Sequence, residues 1–135
     1  LTGEQLQQVM EAAGRIFLPR PVSRYIARLV VATHPGAAGA TGEVNNYVAY
    51  GASPRAAIGI AEAARSHALI AGRPTAGFED VRAVAAHVLN HRTILNYKAR
   101  FDKVDAFQVI RGLMAGVAET GLQLPDNVSL EAGRK

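Results

Sequence analysis

The 135-residue sequence predicts an all-α protein, a small bundle of about five helices with at most a short extended segment. Apolar residues recur at spacings of three and four in five stretches, each bounded by recognisable helix starts and stops. Only Thr93-Ile94-Leu95 has the consecutive β-branched and apolar character of a strand. The composition, 49% hydrophobic and 19% charged with both signs interspersed, suits one folded domain large enough to bury a core.

The first helix, over 2–17, starts on a capping-box pattern of Thr2 with Gln5. Leu6, Val9, Met10, Ala13 and Ile16 follow at helical spacing, and Pro19 and Pro21 stop it. The second, over 22–34, has an apolar stripe of Val22, Tyr25, Ile26, Leu29, Val30 and Thr33, with Arg24 and Arg28 on the solvated side. Pro35-Gly36 ends it. Residues 35–52 then form a long connection, rich in glycine and alanine at first and apolar enough from Val44 to Tyr50 to be tied down. Connections this long within a domain tend to be functional or mobile.

The third helix, over 54–71, is alanine-rich and apolar on most sides, the property of a central helix. Gly59 in its interior costs about 1 kcal/mol relative to alanine and reads as a close helix contact. The fourth, over 78–90, opens with Glu79 and Asp80, where negative charge suits the helix dipole, and turns Val81, Val84, Ala85 and Val88 inward. The extended Thr93–Leu95 lies in a basic run of Arg92, Lys98, Arg100 and Lys103. A fifth helix, over 105–118, starts at Asp105 with Gln108 three residues on and buries Phe107, Ile110, Leu113, Met114 and Val117. Pro125, Asp126-Asn127 and a polar end predict a folded domain over 1–118 and a flexible tail over 119–135.

The segment Tyr50-Gly51-Ala52-Ser53-Pro54-Arg55-Ala56 carries the most chemistry. Ser53 suits an N-cap and Pro54 the first helical position. Arg55 then falls in the first turn, where a cation opposes the macrodipole and gains nothing locally. Free N–H groups and a guanidinium at a helix start suit phosphate. A capped helix with a solvated arginine explains the same residues, and local chemistry leaves both readings open.

Other chemistries are missing. No apolar run approaches the roughly 20 residues that span a bilayer, and no secretory signal is present, so no membrane partner is expected. The absence of cysteine excludes disulfides and thiolate metal sites and accords with the expected cytoplasmic location. His87 and His91 stand four apart, as in zinc-binding helices, but Val88 replaces the glutamate base and no third ligand is near. They read as surface or capping histidines, and no metal site is expected. His34 and His67 stand alone. There is no nucleophilic triad and no phosphate loop, so no complete active site exists in this chain.

The net charge is +4, the isoelectric point about 9.9, and the densest basic group is Arg15, Arg20, Arg24 and Arg28. Four phenylalanines and four tyrosines do not interleave with these cations, which argues against nucleic acid as a partner. The chain opens at Leu1, directly on a helix cap and without methionine, as a domain cut from a longer protein would.

An all-helical module with an arginine suited to phosphate but no phosphate loop looks like half of a nucleotide site. The sequence resembles the C-terminal lid domain of MoxR-type AAA+ ATPases from about Leu1 to Val117. The resemblance rests on Tyr25-Ile26-Ala27-Arg28-Leu29-Val30-Val31-Ala32-Thr33, then Tyr47-Val48-Ala49 leading into Tyr50–Ala56. Phe78-Glu79-Asp80-Val81 and Val88-Leu89-Asn90-His91-Arg92 follow in order, and Gly51-Ala52-Ser53-Pro54-Arg55-Ala56 is the most specific part.

The resemblance implies that Arg55, on the helix start made by Ser53 and Pro54, is the second sensor arginine, which reaches the γ-phosphate of ATP. It implies ATP and Mg2+ in the intact protein, held by an N-terminal AAA+ core, with none expected in this chain alone. It further implies ATP hydrolysis by the intact protein, neighbouring subunits of a hexamer, chaperone-like remodelling or activation of protein complexes, and partners with von Willebrand factor A domains. Two departures stand out: Gly77-Phe78 replaces a threonine-proline start, weakening that cap, and His34 replaces an arginine, which leaves it no nucleotide role. The rival accounts are a freestanding helical nucleic-acid-binding domain and a protein adaptor using the Arg24/Arg28 face.

Overall fold

The computed structural model describes residues 1–120. In chain order its elements are α1 (Gly3–Gly14), α2 (Arg20–Ala32), α3 (Gly42–Tyr47), β1 (Val48–Tyr50), α4 (Arg55–Ile70), α5 (Phe78–Asn90), β2 (Ile94–Leu95), α6 (Tyr97–Phe101) and α7 (Ala106–Gly116). The helical bundle is the one expected, with two short helices added. The predicted extended segment is β2, and its partner is β1, inside what sequence pattern left as a connection. The two pair antiparallel, with Val48 opposite Leu95 and Tyr50 opposite Ile94.

α4 is the central helix, as its composition implied. Ala56, Ile60, Ala64 and Ala68, spaced by four, are all completely buried. They face α2, α5 and α1. The small side chains on this row allow close approach, and Gly59 serves the same end: a Cβ there would lie 3.3 Å from Val88 Cγ1 of α5. Around this row gather Val22, Tyr25, Ile26 and Leu29 of α2, Val81, Ala85 and Leu89 of α5, and Ile110 of α7. The Tyr25 ring meets Phe78 edge-on at 5.6 Å, one of the geometries aromatic quadrupoles favour.

A second, smaller apolar cluster joins Ala32, Val44, Val48, Val109 and Leu113. It seats α3 and the β-ribbon against α7. The short elements are held by side-chain caps: Thr41 Oγ1 accepts from Val44 N–H, and Asn96 Oδ1 from Ala99 N–H.

Two expectations require correction. No residue of α1 is buried, and Leu6, Val9 and Met10 of its apolar stripe are each at least half exposed. Arg28 is not simply solvated: its guanidinium donates to the carbonyls of Ala118 (3.0 Å) and Glu119, and Arg82 pairs with Glu119. The tail expected over 119–135 lies outside the described residues from 121 onward.

Candidate functional site

Arg55 is the first residue of α4, and the end of α2 holds the segment that leads into it. Gly51 lies so close to α2 that a Cβ would sit 2.7 Å from His34 Cγ and 2.8 Å from the Thr33 carbonyl carbon. Ala52 follows, completely buried. Its N–H donates to Thr33 Oγ1 at 2.9 Å, and its carbonyl accepts from His34 Nε2 at 2.9 Å. Thr33 Oγ1 donates in turn to the Val30 carbonyl at 2.6 Å.

The helix start differs from the one the sequence suggested. Pro54 already has helical dihedrals (φ −55°, ψ −24°) and occupies the cap position, and the helix has no side-chain cap. Ser53 contributes its carbonyl, which accepts from Ala56 N–H at 2.8 Å, while Pro54's carbonyl accepts from Ala57 N–H at 3.0 Å. Proline cannot offer an N–H, so the first turn presents fewer free donors than an open helix start would.

Arg55 itself is exposed, and among the described residues its guanidinium makes no hydrogen bond or ion pair. One turn along α4, Arg92 Nη2 lies 3.9 Å from the Cβ position of Gly59. The sequence placed Arg92 in a basic run and at the end of a segment that carries the resemblance, without joining it to Arg55; the fold brings it onto the face of α4 that begins with Arg55. Two guanidinium groups on one face are the kind of arrangement that can meet an anion.

A second polar cluster joins the end of α4 to the start of α5. Asp80 is completely buried and accepts bonds from both guanidinium nitrogens of Arg73 (2.8 and 2.5 Å), from Gly77 N–H (2.7 Å) and from His67 Nδ1 (2.6 Å). The Arg73 guanidinium holds the Asp80 carboxyl well below the usual carboxylate range; burial opposes this, and Gly77 and His67 add to it. The start of α5 is therefore firmer than Gly77-Phe78 suggested, because Asp80 reaches back to cap it. Every polar atom of this carboxylate is satisfied internally, so the cluster is a structural clamp.

The remaining histidines, His87 and His91, lie at the surface near the end of α5, as the sequence suggested. His91 Nδ1 donates to the His87 carbonyl at 3.2 Å, and the His87 ring stacks obliquely on Phe107 at 5.4 Å. Among the described residues, no three His, Cys, Asp or Glu side chains converge. No described helix is long and apolar enough to cross a membrane.

Comparison with known proteins adds a family and several relatives. The AAA lid domain family matches residues 42–113. The chain is 38% identical over 117 residues to the chaperone MoxR1 of Mycobacterium tuberculosis, covering 87% of this chain and 31% of that protein. It is 30% identical over 125 residues to the uncharacterized protein YeaC of Bacillus subtilis, covering 84% and 36%. A crystal structure from Cytophaga hutchinsonii, provisionally described as an ATPase, superposes with a TM-score of 0.76 at 32% identity, over 80% of this chain and 33% of that one. The chain thus spans about a third of the length of each.

Proposed function

This chain belongs to the AAA lid domain family, and we propose that it is the mobile lid of a MoxR-type AAA+ ATPase, with Arg55 as its second sensor. The observation that carries this reading is an exposed arginine, unpaired among the described residues, at the first turn of the central helix. An exposed cation without a partner gains nothing from the fold, whereas a guanidinium suits two phosphate oxygens at once. Arg92 on the same face adds positive potential. What the chain offers a nucleotide is therefore cationic arms; ATP and Mg2+ would be held by an AAA+ core outside it, and bound ATP supplies the phosphoryl group whose charge Arg55 meets.

In this mechanism the α2–α4 junction carries Arg55 toward the γ-phosphate and so draws the lid closed. Loss of that phosphate removes the contact, and the lid is released. The coupling works because the arginine interacts with nucleotide in one state and with solvent in the other. The half-exposed apolar stripe of α1, Leu6, Val9 and Met10, supports an AAA+ core as the surface that covers it. MoxR1 is named a chaperone, and by that likeness the lid's motion would drive remodelling or activation of protein complexes, in a hexamer and in the cytoplasm, with von Willebrand factor A domain proteins as candidate partners.

The test is steady-state hydrolysis by the intact ATPase. Arg55→Ala should lower turnover by about 10- to 1000-fold, the loss of a charge-assisted contact of about 1.5–4 kcal/mol. Arg55→Lys should recover only part, since it keeps the charge and loses the fork. Arg24→Ala, exposed on α2, is the control. A wild-type rate for Arg55→Ala would show that this arginine is merely a solvated helix residue.

A further inference from the structure

We propose that Thr33 and His34 are positioning residues for Arg55, two adjacent side chains at the end of α2 that set where the arginine's helix begins and how it points. The proposal rests on the sensor reading of Arg55 and deepens it. Ala52 lies between the end of β1 and the start of α4, where neither ladder nor helix satisfies its backbone. A buried backbone polar group must find a partner, and here both partners are side chains of consecutive residues: Thr33 Oγ1 for the N–H and His34 Nε2 for the carbonyl.

Each of these side chains is itself tied down. Thr33 Oγ1 donates to the Val30 carbonyl while it accepts from Ala52, so both functions of the hydroxyl are used. A carbonyl only accepts, so His34 must carry its proton on Nε2. The missing Cβ of Gly51 leaves room for the imidazole ring against the chain. From Ala52 only Ser53 and Pro54 intervene before Arg55, and the proline ring restricts one of those residues further. A rotation at Ala52 would therefore swing the guanidinium, and the two α2 side chains oppose that rotation. His34 thus acquires a role without touching nucleotide.

The test is a double-mutant analysis in the intact ATPase. Thr33→Val and His34→Ala are made alone and in combination with Arg55→Ala, with kcat and KM for ATP measured alongside thermal melting. A misplacement of about 1 Å can cost ~100-fold in rate, so each single change should lower kcat by about 10-fold. In the Arg55→Ala background the same changes should cost less than about twofold, because the group they position is gone. His34→Gln, whose amide can donate to the Ala52 carbonyl, should restore much of the rate.

The ring of His34 reaches the surface, where water can take its place on the Ala52 carbonyl, so its variants should melt near the wild type even if Thr33→Val lowers the melting temperature. Equal losses with and without Arg55, or single variants at the wild-type rate while Arg55→Ala is slow, would overturn the positioning role alone. A wild-type rate for Arg55→Ala would overturn the sensor reading, and the positioning role with it.

Discussion

A Cβ at Gly51 and one at Gly77 would each press on a neighbour, yet the two substitutions should behave differently. At Gly51 the neighbours are the Thr33 backbone and an imidazole ring already bonded to Ala52, neither of which can yield without breaking the junction. Gly51→Ala should therefore destabilise by about 1–3 kcal/mol, the usual cost of overpacking. At Gly77 the neighbour is the carboxylate end of Glu79, an exposed and flexible side chain, and the backbone there (φ −110°) suits any residue. Gly77→Ala should change stability by less than about 0.5 kcal/mol. Chemical denaturation of both variants decides it. Asp80 gives the third test at this scale. Its carboxyl is depressed below its ordinary value of 3.8, so its contribution is complete above that pH and is lost as the pH falls below it toward the folded value. Asp80→Asn should cost about 2–4 kcal/mol at neutral pH, toward the lower end because Arg73 is partly solvated. It should also flatten the acid limb of a melting-temperature profile below about pH 4; an unchanged limb would mean that Asp80 does not set it.

Among the elements, the long helices were legible because each announces a stripe, and the stripes of α2, α4, α5 and α7 face the core where their spacing put them. The stripe of α1 misled only about burial: periodicity says which residues share a face, not whether anything covers that face. The α3 and α6 helices, of 6 and 5 residues, were missed because they are too short to show a period, and helices of that length do not persist without tertiary support. Their signals were caps, Thr41 before Val44 and Asn96 before Ala99, which are readable only once the tertiary contacts of α3 with α7 and of α6 with α3 are known. The Ser53 cap failed for a related reason. The Ala52–Thr33 and Ala52–His34 bonds, between residues nearly twenty apart, already dictate how the chain enters α4. No local pattern announces that contact, although Arg55 at the helix start was legible from Ser-Pro-Arg itself. Asn96 tests how the short elements are held. Its Oδ1 caps α6, its Nδ2 donates to the Asn46 carbonyl at 2.7 Å, and its N–H donates to the Tyr47 carbonyl at 2.8 Å. Asn96→Ala removes the cap and one bridge together and should cost about 2–3 kcal/mol. Hydrogen exchange should quicken at Ala99 in α6 and through the β-ribbon while α4 stays protected; uniform loss across the domain would show that these elements do not loosen separately.

At the scale of the whole molecule the two apolar clusters are not independent, because α7 contributes Ile110 to one and Val109 and Leu113 to the other. The ribbon and the central bundle therefore share α7 as a packing partner within one body. On the proposed reading that body would bring few phosphate contacts, and the number fixes what it can do alone. A hydrogen bond to a charged group contributes about 1.5–3 kcal/mol, whereas a dissociation constant of 1 mM already needs about 4.1 kcal/mol. The isolated chain should consequently bind ATP more weakly than about 1 mM and should not hydrolyse it. At 1 mM ATP such binding stabilises the fold by no more than about 0.4 kcal/mol, a melting shift of a degree or two. Thermal melts with ATP, with ADP and with each plus Mg2+ measure this directly, and Arg55→Ala should abolish whatever small shift appears. Saturable binding in the micromolar range that survives Arg55→Ala would mean that the chain holds a nucleotide site of its own, and a lid that only borrows its nucleotide from a core would no longer describe it.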